Sequence, residues 1–183
     1  VTFMVNGLPE AVKAADSGAD VIIAQGTEGG GHVGWISTMC LVPMVVDAVA
    51  PIPVLAAGGF ADGRGLAAAL SLGADGVLMG TRFLASEECR VIEEYKKRIL
   101  KAKDIDSIVI FNKVKYPARV IKNKFAMEYL SKERNDISQE ELIALGKGRL
   151  KLAVEADADA GALMAGECAG LIRDVKSARD IVE

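Results

Sequence analysis

Three glycine-bearing segments hold the residues best suited to chemistry: Gln25 to Gly34, Gly58 to Gly63 and Gly80 to Arg82. The first contains His32, the sole histidine of the chain, within Gly29-Gly30-Gly31-His32-Val33-Gly34. An imidazole changes charge close to neutral pH, so His32 can serve as a general base or as a hydrogen-bond donor to a substrate. The plainer alternative is a solvated loop histidine. The other two segments let backbone N–H groups approach a ligand closely and lead into helix N-termini, which suits a phosphate. The expected phosphate contacts are Gly58, Gly59, Gly80 and Thr81, against the alternative that these glycines only make tight turns. Glu28 reads either as a second polar group of the first loop or as a surface carboxylate. Asp62 is placed to cap a helix and Asp75 to begin a strand, both structural duties. Arg82 suits a phosphate or a structural pairing equally well.

The flanking residues say what positions these loops. Val1 to Val5 is a short apolar run, Leu8 to Ser17 has helical spacing, and Val21 to Ala24 is an unalternating strand of the kind covered on both faces. A helix over Met39 to Val49 follows, closed by Pro51 and Pro53. Then come the strand Val54 to Ala57, a helix over Leu66 to Leu72 and a strand Gly76 to Met79, with another helix starting at Gly80-Thr81. Gly18-Ala19-Asp20-Val21 and Gly73-Ala74-Asp75-Gly76-Val77 repeat one device for leaving a helix and starting a buried strand. Four β/α units with right-handed crossovers read as half of a (β/α)₈ barrel or as a small doubly wound sheet, whose sites gather at the carboxyl ends of the strands.

Beyond Leu84 the chain becomes more charged. A helix is expected over Glu88 to Ala102, an extended run over Ile105 to Phe111, a connection over Asn112 to Pro117 and helix over Val120 to Leu130. A loop or helix start follows over 132–138, then an amphipathic stretch Leu142 to Glu155 and an apolar one Ala162 to Ile172. The expected organisation is a half barrel over residues 1–86 and a mainly helical extension over 87–183 packed on it.

An apolar fraction of 51% rules out disorder as the dominant state. With 22 basic and 25 acidic residues the net charge is −3, and only 5% are aromatic, so a nucleic-acid partner is not expected. Cys40, Cys89 and Cys168 are odd in number and far apart, which suits neither a disulfide framework nor a metal site, and reads as packing in a reducing cytoplasm. No apolar run approaches a membrane span, and no basic segment precedes Val1, so a soluble, unexported protein is expected. The 183 residues fall short of the roughly 200 that a minimal barrel needs, so only part of a barrel is expected. Strand edges at Val1 to Val5 and Val77 to Met79 then call for partners, in a homo-oligomer or in the missing N-terminal half of the barrel.

Together, Gln-Gly-Thr-Glu-Gly-Gly-Gly-His-Val-Gly (25–34), Pro-Val-Leu-Ala-Ala-Gly-Gly-Phe-Ala-Asp-Gly-Arg-Gly (53–65) and Gly-Ala-Asp-Gly-Val-Leu-Met-Gly-Thr-Arg-Phe-Leu (73–84) resemble the nitronate monooxygenase family, formerly called 2-nitropropane dioxygenase. Tyr95 to Lys124 and Leu163 to Ile172 are similar to its flavin-dependent enoyl-acyl-carrier-protein reductase relatives. The resemblance implies the C-terminal portion of a TIM barrel with FMN at its mouth, the phosphate held at Gly58, Gly59, Gly80 and Thr81, and Ala24 and Gly31 lining the flavin pocket. His32 falls on the active-site histidine, which in the monooxygenases takes a proton from the carbon beside the nitro group. In the reductases NAD(P)H supplies the electrons. Gln25 stands where many members have glutamate, and Glu167 where glutamine is usual. The expected function is FMN-dependent oxidation of alkyl nitronates, a small-molecule substrate, by molecular oxygen. The alternatives are enoyl-thioester reduction, a non-redox phosphate-binding β/α protein, and an inactive half-barrel fragment.

Overall fold

The computed structural model describes residues 1–135 and 137–183, so part of the 132–138 expectation, at Asp136, lies outside the described residues. The chain forms two compact units, one of residues 1–29 and 33–79, the other of residues 30–32 and 80–183. In chain order the elements through the first unit are β1 (Thr2–Val5), α1 (Leu8–Asp16), β2 (Val21–Gln25), β3 (Gly31–His32), α2 (Thr38–Val49), β4 (Val54–Ala57), α3 (Gly63–Ser71) and β5 (Gly76–Leu78), of which β3 belongs to the second unit.

The first unit is a parallel sheet in the order β1-β2-β4-β5, with Met4 opposite Ile23, Ile23 opposite Leu55 and Leu55 opposite Gly76. Its edges are β1 and β5, where the sequence placed them. Strand β2 is buried along nearly its whole length, as its unbroken apolar run requires. Ile22, Leu41, Val42, Val45 and Val54 form the centre of the core with α2. The repeated device is the same structure twice. Gly18 (φ +82°) donates to Ala15 and Ala19 to Ala14, while Gly73 (φ +90°) donates to Leu70 and Ala74 to Ala69. Both pairs are Schellman closures that need a left-handed residue. Asp62 caps α3 by accepting from the Arg64 amide at 2.9 Å, and Asp75 Oδ2 accepts from the Val54 amide at 2.9 Å, so both aspartates are structural as expected.

The second unit continues with α4 (Thr81–Leu84), α5 (Glu93–Lys101), β6 (Ser107–Ile110), β7 (Ala118–Ile121), α6 (Lys124–Arg134), α7 (Gln139–Gly146), α8 (Arg149–Glu155), a 3-10 turn (Glu167–Leu171) and α9 (Ala178–Val182). Its sheet is antiparallel in the order β3-β7-β6. Ile110, Val120, Phe125, Tyr129, Leu142 and Ala162 make a core against it.

This unit departs from the sequence-based expectation in three places. The boundary falls after Met79 rather than after residue 86, and a three-stranded sheet accompanies the helices of a segment read as mainly helical. Val120 to Leu130 is a strand end followed by a helix, because Asn123 caps α6: its Oδ1 accepts from the Ala126 amide at 2.8 Å, and its Nδ2 donates to the Ala158 and Gly161 carbonyls. The amphipathic stretch Leu142 to Glu155 holds the end of α7 and all of α8, parted at Lys147-Gly148, where Gly148 takes φ +77°. Among the described residues no helix is long and apolar enough to cross a membrane.

Candidate active site

In the first unit, the loops after β2 and β4 are tied together through Thr38. The Glu28 carboxylate accepts from the Thr38 amide at 2.9 and 3.1 Å and from its hydroxyl at 2.8 Å, while the Gly58 carbonyl lies 2.9 Å from the same hydroxyl. A carboxylate at the head of α2 also meets the positive end of that helix. Glu28 is therefore an anchor that fixes the loop, neither a free surface group nor a group presented to substrate. Gly58 and Gly59 both take left-handed backbone, φ +92° and +90°. A side chain at Gly58 would stand 3.0 Å from the Gly26 carbonyl oxygen and from the Gly29 nitrogen, so the close approach of two loops demands glycine there. Among the described residues, no hydrogen bond within the protein uses the amide of Gly58 or Gly59. Two such amides, in the loop at the carboxyl end of a parallel strand, suit an anionic phosphate oxygen. Ala24 is fully buried in the core of this unit, opposite Ala56 in the sheet, and so lies beneath the loop surface.

The second unit holds the histidine. Gly31 (φ +77°) and His32 form β3 by pairing with Arg119 and Ala118 of β7, which fixes the imidazole on a strand rather than on a free loop. His32 is exposed, and its ring meets Tyr116 edge-on at 5.9 Å. Beside it opens a cavity of about 350 Å³ whose walls include Phe111, Leu142, Ala162 and Met164.

The segment Met164 to Glu167, whose first residue lines that cavity, is held from three sides. The Tyr95 hydroxyl donates to the Met164 carbonyl at 2.8 Å, the Gly166 amide donates to Thr81 Oγ1 at 2.9 Å, and Arg119 pairs with Glu167 at 2.9 Å. Burial pushes the Tyr95 phenol well above its ordinary range, so it stays protonated and remains a donor. The extra negative charge expected from Glu167 is thus matched by the buried guanidinium of Arg119. Thr81 is itself buried, its oxygen committed to Gly166, while Gly80 beside it has open space where a side chain would be. Arg82 is buried and pairs with Asp174 at 2.9 Å, also donating to its carbonyl, which favours the structural reading of this residue.

Sequence reasoning did not single out Tyr95, Tyr116 or Arg119. Arg119 had a signal, a lone charge inside the apolar run Ala118–Ile121, since a charge is rarely buried without a partner. The aromatic residues had none beyond their type.

The three cysteines differ in a way that can be measured. Cys40 is exposed, Cys89 half-buried and Cys168 buried, and burial pushes the Cys168 thiol up despite an opposing contact with Thr81. A neutral, covered thiol is a poor nucleophile. Brief alkylation of the native protein, read by mass spectrometry, labels Cys40 first and leaves Cys168 unmodified until the protein is unfolded; prompt labelling of Cys168 would contradict the structure.

Among the described residues no group of three or more His, Cys, Asp or Glu stands where it could hold a metal ion. Comparison with known proteins gives a consistent picture. The chain is 36% identical over 212 residues to (3aS,4S,5R,7aS)-5-hydroxy-7a-methyl-1-oxo-octahydro-1H-indene-4-carboxyl-CoA dehydrogenase of Mycobacterium tuberculosis, covering 93% of this chain and 59% of that protein. Among solved structures it is similar to FabK from Thermotoga maritima, with a TM-score of 0.94 and 42% identity over 100% of this chain and 58% of that one. It is also similar to nitroalkane oxidase from Streptomyces ansochromogenes, with a TM-score of 0.82 and 30% identity over 99% of this chain and 55% of that one. The chain spans about three fifths or less of the length of these proteins. Residues 1–183, the whole sequence, match the nitronate monooxygenase family, and the chain belongs to that family.

Proposed function

We propose that this chain carries the phosphate loops and the reacting histidine of an FMN-dependent oxidoreductase that oxidises alkyl nitronates with molecular oxygen. The observation that carries the reading is His32, the one histidine, set on β3 at the wall of an apolar cavity. The amides of Gly58 and Gly59 would hold the phosphate of FMN, with Gly80 and Thr81 as further backbone contacts and Ala24 and Gly31 as neighbours of the flavin. When bound, FMN supplies a two-electron acceptor that oxygen regenerates. Where the substrate arrives as the neutral nitroalkane, the imidazole of His32 accepts the proton from the carbon beside the nitro group and leaves the nitronate that is oxidised, and Tyr116 limits how its ring can turn.

Enoyl-thioester reduction by NAD(P)H is the second reading, favoured by the thioester in the name of the mycobacterial relative. In it, His32 donates a hydrogen bond to the substrate. A visible spectrum and anaerobic titration of the purified protein with added FMN separate the two. Flavin absorption bleached by a nitronate, and not by reduced nicotinamide, supports nitronate oxidation; the opposite pattern supports the reductase. Absence of flavin absorption would overturn both.

A further inference from the structure

Besides the cavity at His32, the second unit holds a wider one of about 620 Å³, between the end of α5, the turn that follows it and the 3-10 turn Glu167–Leu171. Its cations are Lys101, Lys103 and Arg173, all exposed. Among the described residues none of these three side chains has an ion-pair or hydrogen-bond partner, so none is committed to holding the fold. Lys101 has one duty besides, since a cation in the last turn of α5 meets the negative end of that helix. Lys103 and Arg173 lie outside the helices and have no such role. Of the two carboxylates in the lining, Glu167 is already paired with the buried Arg119 at 2.9 Å, which leaves Asp104. The cavity therefore carries an excess of about two positive charges in a chain whose net charge is −3. Cations gathered without partners repel one another, and a bound anion turns that cost into attraction.

These cations stand on fixed backbone. Lys103 follows the buried Ala102 and Arg173 follows the buried Ile172, so both side chains spring from anchored positions. Asp106 Oδ2 accepts from the Lys103 amide at 2.9 Å, and the Asp106 carbonyl accepts from the Lys122 amide at 2.8 Å, which ties the turn to the end of β7. A side chain at Gly170 would stand 3.4 Å from the Asp104 nitrogen and from the Lys103 carbonyl carbon, so glycine lets the 3-10 turn lie close against the 103–104 peptide. A site whose backbone is set beforehand loses less freedom on binding.

We propose that the cavity lined by Lys101, Lys103 and Arg173 is a second anion site, which binds an organic phosphate ester of nucleotide size as an effector. A phosphate group carries close to two negative charges and accepts through three oxygens, which matches the local excess. The Arg173 guanidinium can hold two of those oxygens at once, while the two ammonium groups act as point charges. At roughly 30 Å³ for a water-sized group, 620 Å³ has room for about twenty heavy atoms, far more than a free phosphate fills. Leu171, 53% exposed, offers apolar surface to the organic part of such a molecule. The lining has no imidazole, thiol or hydroxyl, so the molecule is held there and not transformed. The site shares no residue with Gly58, Gly59, Gly80 and Thr81, and it does not rest on the oxidoreductase reading.

The test is calorimetric titration with ADP and with pyrophosphate, in the presence of excess FMN so that the loop at Gly58 and Gly59 is not available to the probe. ADP binds more tightly than pyrophosphate, and its binding weakens as salt is raised because the cations are exposed. Lys103→Gln and Arg173→Gln each weaken ADP about fivefold or more, the low end for a charged contact at an exposed site. The melting temperature does not move, since these side chains hold no other part of the protein. Lys147→Gln, which removes an exposed lysine from outside this cavity, leaves ADP binding as it was. Absence of binding by either probe overturns the proposal, as does binding that Lys103→Gln and Arg173→Gln leave unchanged. Pyrophosphate bound as tightly as ADP overturns the assignment to an organic ester. NADH or NADPH bound there more tightly than ADP would make the site one end of an electron donor, and overturns the assignment to an effector.

Discussion

His32→Ala lowers turnover of a neutral nitroalkane by a factor on the order of 10² or more while FMN remains bound. The loss is that of a positioned acid or base, which contributes between about 10² and 10⁴ in rate. FMN stays because the groups proposed to hold its phosphate, Gly58, Gly59, Gly80 and Thr81, are separate in sequence from β3 and act through backbone that the substitution leaves alone. Stability stays within about 0.5 kcal/mol, since the side chain removed is exposed and its strand is held by the backbone pairing of Gly31 and His32 with Arg119 and Ala118. Three measurements on one preparation check this: the flavin spectrum, the melting temperature and kcat. Added imidazole, which fits the space the side chain vacates, restores part of the rate if the ring acts chemically, and restores nothing if His32 only props up Tyr116. Unchanged turnover would remove His32 from the mechanism.

How far this arrangement could be read from sequence depends on how local its causes are. The first unit was legible because its signals are local: unbroken apolar strands, an Asp62 cap within three residues of the group it serves, and two Gly-Ala-Asp closures that the structure reproduces bond for bond. The histidine was found because its type is rare in the chain, and its loop lies at the end of a strand. What could not be read was its setting. Gly31–His32 is too short and too glycine-rich to suggest a strand, and it becomes one only because β7 lies beside it. The second half of β7, Val120-Ile121, was itself read as the start of a helix, since two apolar positions fit either element and only Asn123 marks the change. The brace on Met164 to Glu167 joins Thr81, Tyr95 and Arg119 from three distant segments, and no spacing rule links them. Even the glycine run divides by tertiary cause. Gly29 is glycine because the Gln25 side chain lies over it, and Gly31 because of its left-handed backbone.

Gly30, between them, has backbone where a methyl group would stand. A side-chain carbon there would lie 2.6 Å from the Gly166 nitrogen and 2.7 Å from the Ala165 carbonyl carbon, both backbone atoms that cannot swing aside as a flexible side chain would. Gly30→Ala must therefore displace either β3 or the Ala165–Gly166 backbone. The second movement breaks the Gly166 donation to Thr81 and loosens the Arg119–Glu167 pair; the first moves His32. Overpacking of this kind costs about 3 kcal/mol, the upper end of the usual range because the contacts are with backbone. At about 2–4 °C per kcal/mol for a domain of this size, the melting temperature falls by about 6–12 °C. The protein that still folds turns over poorly, since a displacement of about 1 Å at a reacting group can cost on the order of 10² in rate. Gly63→Ala is the control: it adds the same methyl group at the first position of α3, where nothing lies within 4 Å, and it leaves both stability and turnover near their original values. Matching melts for Gly30→Ala and the parent would mean that the close contact between β3 and the Ala165–Gly166 backbone does not exist in solution. A drop in turnover without a drop in melting temperature would instead locate the whole cost in the placement of His32.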